Sequence, residues 1–297
     1  MHFKSNASGK QIKPTRTEQM RYSNRIRLAI LCILSAVSSS LYASDTVVLI
    51  DQAGAAAGNI TPGDAPGFPV TLSQPGSYRL VSNLVVTGDV SAIQITADNV
   101  TIDLNGYSII GPNLCSNTVP ATCKPAGTGI GVQAGDGNTV GPTSVKVFNG
   151  SIRGMGLHGI QLTGLAGLVE RVSADGNAGS GLIVNGSVVE SSATGNGADG
   201  IRALIVRDSI SVGNRSHGIF LTSGGVASGN AISLNGFRGI FARNGSVIGN
   251  TVTGNVNIGI LASCPSSVVD NTSFANTGTS IVADGQNCTV VNNATSQ

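Results

Sequence analysis

The chain has 297 residues, a formal net charge of +2, 11% charged residues, 4% aromatics, 41 glycines and no tryptophan. From residue 44 onward ten basic residues face fourteen acidic ones, a net of −4, so the basic balance belongs to the N-terminal leader and no electrostatic footprint for nucleic acid remains. The chain is too aliphatic and too periodic to be disordered, and its Gly, Asn, Ser and Thr content suits short strands joined by tight turns.

Residues 1–43 read as a leader carrying a signal peptide. Arg21, Arg25 and Arg27 precede the apolar run 28–37, and small residues lead to Leu41-Tyr42-Ala43, with cleavage expected after Ala43. Met20 opens a conventional-looking signal, which makes it a candidate for the true start. The apolar run is about half a bilayer span, so no membrane span is expected in the mature chain. The expected location is secreted, periplasmic or extracellular.

Residues 44–77 carry Gly, Pro and Ala clusters without a period and read as a linker and N-terminal cap, since a stack of strands needs its terminal edge covered. Strands are expected from Tyr78. Residues 92–96 and 100–104 alternate apolar and polar, residues 107–110 follow, and Asp-Asn and Asn-Gly steps separate them, which makes one three-sided coil. Residues 111–128 break the pattern with Pro, Gly and Cys and read as an inserted surface loop.

Beyond residue 129 a motif returns every 18 to 22 residues. Gly-aliphatic pairs fall at Gly159-Ile160, Gly181-Leu182, Gly200-Ile201, Gly218-Ile219, Gly239-Ile240 and Gly259-Ile260. Asn177, Asn196, Asn214, Asn235, Asn255 and Asn276 keep the same beat, and Asn230, Asn250 and Asn271 form a second column; both are expected to be structural, with stacked amides bonding along the axis. A repeat this short cannot bury its own core, so each copy must lie on the next. The expected fold is all-β: a right-handed, single-stranded parallel β-helix of about ten coils, roughly 45–50 Å long at the sheet spacing.

The four cysteines past the leader, Cys115, Cys123, Cys264 and Cys288, suggest two disulfides in an exported chain. Three pairings are open. The most local, Cys115–Cys123 with Cys264–Cys288, would close the inserted loop and staple neighbouring turns. Their spacings fit zinc poorly.

On this repeat over residues 78–297, the chain resembles the right-handed parallel β-helix superfamily, the fold of pectate lyases and polygalacturonases. The catalytic motifs of those enzymes are missing. Asn-Thr-Asp, Asp-Asp, Gly-His-Gly and Arg-Ile-Lys do not occur, and neither does a Trp-containing lyase motif or the Asp-Pro-His signature of alginate epimerases. The resemblance therefore implies an architecture and carries no functional residue onto this chain.

Candidate sites come from columns, because equal repeat positions become neighbours in a solenoid. The position before Gly-Ile runs His158, Ser180, Asp199, His217, Arg238, Ile258. Asp199, His217 and Arg238 on consecutive layers would form a catalytic candidate of the general-base type, against the alternative of a surface ladder of turn residues. The position after Gly-Ile faces outward by alternation and runs Gln161, Ile183, Arg202, Phe220, Phe241, Leu261. Arg202, Phe220, Phe241 and Leu261 are the binding candidates, an apolar stripe suited to sugar stacking, to a partner, or to cover by a terminal segment. A third column, Lys146, Glu170, Glu190 and Arg207, sets two carboxylates side by side. Calcium between them would relieve their repulsion, although a solvated charged face is the simpler outcome. No other metal or cofactor is expected.

The reading is an exported β-helix protein that binds or acts on extracellular polysaccharide or cell-surface glycan, with no recognisable catalytic motif. Whether it is an enzyme, of lyase, hydrolase or epimerase type, stays open. The alternative is a non-catalytic structural or adhesive surface protein that self-associates through its apolar stripe.

Overall fold

The computed structural model describes residues 46–116, 118, 121–124 and 127–296; the expected leader lies outside them. Parallel strands stack into a β-solenoid of about eleven turns with almost no helix. Each coil has three sides. Strands of the first sheet include Ile93–Ile95, Val132–Ala134 and Ile240–Arg243; those of the second, Val100–Asp103 and Ser246–Ile248; those of the third, Ser108–Ile110 and Thr251–Thr253. Register is the one the repeat implies: Ile160 pairs with Leu182, then Ile201, Ile219, Ile240, Ile260 and Ile281.

The interior is aliphatic. Ile160, Leu182, Ile201, Ile219, Ile240 and Ile260 are fully buried, as are Val169, Val188 and Val206 from the second sheet. The glycine before each inward aliphatic is there for space. A Cβ on Gly218 would lie 2.8 Å from the Gly239 carbonyl oxygen, 2.6 Å from the Asn235 amide nitrogen and 2.4 Å from Ile232, and Gly181, Gly239 and Gly259 are as tightly overlaid. The Gly-Ile motif is thus the contact between successive coils, written once per turn.

Two buried asparagine ladders hold two of the three corners. Asn177, Asn196, Asn214, Asn235, Asn255 and Asn276 form one, each Nδ2 donating to the next Oδ1 at 2.9–3.0 Å. Asn230, Asn250, Asn271 and Asn293 form the other. Each Oδ1 also takes the backbone N–H of the preceding asparagine, so an otherwise orphaned donor in the turn is paired.

The third corner, between first and second sheets, has no such ladder and no fixed length. The second sheet is entered six residues after Leu162, three after Val184, two after Ala203, five after Leu221, four after Ala242 and five after Ala262. These differences match one for one the coil lengths of 22, 19, 18, 21, 20 and 21.

Two expectations are corrected. Strands do not begin at Tyr78: within residues 44–77, read as linker and N-terminal cap, Val48–Ile50 pairs in parallel with residues 78–80, and Val70–Leu72 with Ile93–Ile95, so the first strand lies thirty residues before Tyr78. Strands of three residues, separated by helix α1 (Gln52–Ala57) and a Pro/Gly segment, are too short to show alternation. Helix α1 does place Ala55 in the core cluster, and Asp64 gathers the N–H groups of Ile60 and Thr71 beside it.

The charged column was counted out of register. Lys146 pairs with Leu168, Glu170 with Phe148 and Val189, and Arg207 with Val189. Glu190 instead shares a left-handed turn position with Asn149, Arg171 and Asp208 (φ 48–60°). Lys146 still reaches Glu170 at 3.1 Å, and Arg171 bonds Glu170 and lies 3.8 Å from Glu190. A guanidinium therefore occupies the place between the carboxylates proposed for calcium. Among the described residues no group of three His, Cys, Asp or Glu could hold a metal ion.

The inserted loop forms an antiparallel hairpin, Leu114–Cys115 with Cys123–Lys124, closed by the Cys115–Cys123 disulfide. Cys264 and Cys288 form the second bridge. No helix of the described residues is long and apolar enough to cross a membrane.

Candidate functional site

The first sheet presents Arg202, Phe220 and Phe241 outward in consecutive layers, in the register the column implies. The turn leading into that sheet brings up Asp199 and His217 from adjacent coils. Backbone bonds from Gly181 to Asp199, Gly200 to His217 and Gly218 to Arg238 fix this stacking.

Asp199 and His217 meet directly. The His217 Nδ1 lies 2.9 Å from Asp199 Oδ1, and the His217 backbone N–H donates to the same oxygen at 3.1 Å. Both side chains are largely buried, 13% and 15% exposed. Burial pushes the Asp199 carboxyl up, but the hydrogen bonds from His217 and Ser216 outweigh it and hold the group below the usual carboxylate range. If Nδ1–H donates to the carboxylate and the ring is neutral, the lone pair falls on Nε2, the tautomer a general base needs. That nitrogen is buried without a hydrogen-bond partner among the described residues.

Three phenylalanines box the imidazole. Phe220 and Phe237 meet it edge-on at 5.5 and 5.1 Å, and Phe241 stacks on it at 5.6 Å. Guanidinium groups cover the outer faces of these rings: Arg202 over Phe220 at 4.6 Å, Arg238 over Phe237 at 4.5 Å and Phe241 at 4.9 Å, Arg243 over Phe220 and Phe241 at 5.4 and 5.2 Å. None of the three arginines has a carboxylate within salt-bridge distance among the described residues. Cation–π contacts of this kind hold a guanidinium in place; Arg202 and Arg243 are exposed, whereas the Arg238 Nε is buried without a hydrogen-bond partner among the described residues.

The expected apolar stripe is therefore not bare. Phe220 and Phe241 are half-buried under cations, and Leu261, in register between Phe241 and Val282, is only 9% exposed. Arg238 belongs with the rings and makes no ion pair with Asp199, which leaves a dyad where a triad was expected. Phe237 and Arg243 were missed in the sequence. Arg243 was accessible by alternation, two residues past Phe241 on the same strand.

His158 sits in the same column, two coils before Asp199. Its Nδ1 accepts the Ser180 N–H at 3.0 Å, and burial lowers its pKa to about 4, with Asp199 raising and Arg202 lowering it further. It is neutral at neutral pH and locks the turn beside the dyad.

No family model and no curated protein matches the chain in sequence. Among solved structures it is similar to the A-module of the Azotobacter vinelandii mannuronan C-5 epimerase AlgE4. That match has 16% identity over 81% of this chain and 69% of that one, with a TM-score of 0.51. It is also similar to the periplasmic alginate epimerase AlgG, at 13% identity over 77% of both chains and a TM-score of 0.44. At this identity the likeness speaks for backbone architecture alone, and with the stacked parallel sheets it shows a right-handed parallel β-helix fold.

Proposed function

We propose that this is an exported protein whose first sheet binds acidic polysaccharide. The observation that carries the reading is the set of three guanidiniums, Arg202, Arg238 and Arg243, laid on phenylalanine rings without carboxylate partners. Such a surface offers fixed N–H donors to carboxylates, foremost from the exposed Arg202 and Arg243. Export is supported by the leader-like N-terminus and by two disulfides, which persist in oxidising compartments. The A-module similar in fold is a mannuronan epimerase, which makes polymannuronate the first probe.

The test is retention of the full chain on immobilised polymannuronate, with dextran as the uncharged control, across a salt gradient. Retention that falls with salt, and falls further in the double variant Arg202→Ala and Arg243→Ala, is expected. Equal retention of that variant, or equal binding to dextran, would refute the reading.

A catalytic role has one specific support, the Asp199–His217 hydrogen bond, and it requires the phenylalanines to move off the buried Nε2. Proton abstraction from a uronate would appear as C-5 inversion or unsaturated ends by NMR, with and without calcium, and would vanish in His217→Ala. Without either product the surface is a binding one. Self-association, the other reading, predicts a larger sedimentation coefficient that drops in Phe220→Ser with Phe241→Ser.

A further inference from the structure

A second concave feature lies on another side of the solenoid. The Cys115–Cys123 hairpin stands against the outer edge of the third sheet, with Cys115 Sγ 2.8 Å from the Gly176 carbonyl oxygen and Cys123 Sγ 3.5 Å from that of Asn177. Between hairpin and sheet runs a groove of about 770 Å³. That is within the range of small-ligand sites.

A run of glycines floors the groove. Backbone bonds stack Gly111, Gly154, Gly176, Gly195 and Gly213 on successive coils, at the turn that leaves the third sheet. The next residue in that column is Leu234, whose φ of 57° matches the 60° of Gly195 and whose side chain is 47% exposed. The turn therefore tolerates a large side chain. A Cβ on Gly195 would meet nothing within 4 Å. The left-handed φ of 59–67° at Gly154, Gly176, Gly195 and Gly213 itself favours glycine, and the lack of a side chain there leaves open floor over five coils, about 19 Å at the sheet spacing.

The lining is amphipathic. Asp175 and Thr194 lie side by side on adjacent coils, with the Asp175 carboxyl bonded by the Ser173 hydroxyl at 2.6 Å and by the Thr194 side chain. Arg153 lies in register one coil before Asp175, so the floor carries one charge of each sign. Leu114, 80% exposed on the hairpin, and Val212 supply apolar walls. Carboxyl and hydroxyl groups beside aliphatic walls match a sugar ring, which has hydroxyl edges and apolar C–H faces. A balanced charge gives an acidic chain no advantage here, unlike the arginine face of the first sheet.

We infer that the groove beneath the Cys115–Cys123 hairpin is a second carbohydrate site, which holds an uncharged stretch of glycan along the helix axis. The site is independent of the acidic-polysaccharide face, and its test separates the two. The full chain is titrated with cellohexaose, mannohexaose and maltohexaose up to about 5 mM, a ceiling that still detects millimolar affinity, by saturation-transfer NMR, with polymannuronate retention measured in parallel. At least one hexasaccharide should bind, and Gly195→Leu should weaken it at least about tenfold while leaving polymannuronate retention unchanged. Absence of binding by all three, wild-type affinity in Gly195→Leu, or loss of polymannuronate retention in that variant would each overturn the inference. If Gly195→Leu is misfolded by circular dichroism, Leu114→Ser combined with Asp175→Asn carries the same expectation.

Discussion

Replacing Asn214 with alanine removes one rung from the middle of a buried ladder. Its Oδ1 accepts the backbone N–H of Asn196 at 3.0 Å and the Asn196 amide at 2.9 Å. Its Nδ2 donates to the Ala193 carbonyl, the Ser211 hydroxyl and Asn235 Oδ1, all at 3.0 Å. The residue is fully buried, so water cannot stand in for these partners. An orphaned buried donor costs about 1–3 kcal/mol, and the remaining bonds about 1 kcal/mol each where their partners find no substitute. Because several partners keep a second bond, the expected loss is about 3–5 kcal/mol. Asn293 is the internal control: it makes the same kind of bonds to Asn271, Val268 and Val291 at 2.8–2.9 Å, but it is half-buried at the end of its ladder. Asn293→Ala should cost about 1 kcal/mol. Urea unfolding of both variants by far-UV circular dichroism measures the difference, with slopes compared to check that the unfolded reference is unchanged. Equal losses in the two variants, or a loss below about 1 kcal/mol for Asn214→Ala, would refute the view that burial of the amide chain sets its worth.

Acidification should act through His158. Its folded pKa of about 4 lies below the ordinary value of 6.5, so the unfolded chain binds more protons between these values. Its contribution is complete above about pH 6.5, declines by about 3 kcal/mol on the way to pH 4 and is flat below that; His158→Asn should flatten the slope of urea midpoint against pH in that window. Gly218→Ala should lower the thermal midpoint, with a loss of about 2 kcal/mol or more from overpacking against Gly239, Asn235 and Ile232. Cys264→Ala with Cys288→Ala frees a loop of sequence separation 24 and should cost about 3 kcal/mol in guanidinium melts.

The periodic part of the molecule was legible because a parallel solenoid turns sequence intervals into spatial files. Gly-Ile and Asn positions gave the register of the first sheet and both ladders, since each is constrained by contact with its own copy in the next coil. The first coil was opaque for the opposite reason: its three-residue strands are divided by α1 and buried polar turns, and no copy of that arrangement follows. Glu190 was misplaced because a left-handed turn residue and a strand residue, Glu170, look alike when only charge is counted. At the candidate site the files placed Asp199, His217, Phe220 and Phe241 together. They could not show that arginines one or two residues away would fold back over the rings, because a long side chain chooses its own lie after the backbone is set.

The two ladder corners and the free corner divide the coil into conserved geometry and spare length. An amide that must find its counterpart one layer away forbids insertion in its own turn, whereas the bend between the first and second sheets carries anything from one to five intervening residues without shifting the next rung. Arg243, at the end of its first-sheet strand, borders that bend. Natural variation can therefore lengthen or trim the rim of the arginine face, and so retune what settles there, while the rod beneath keeps its pitch.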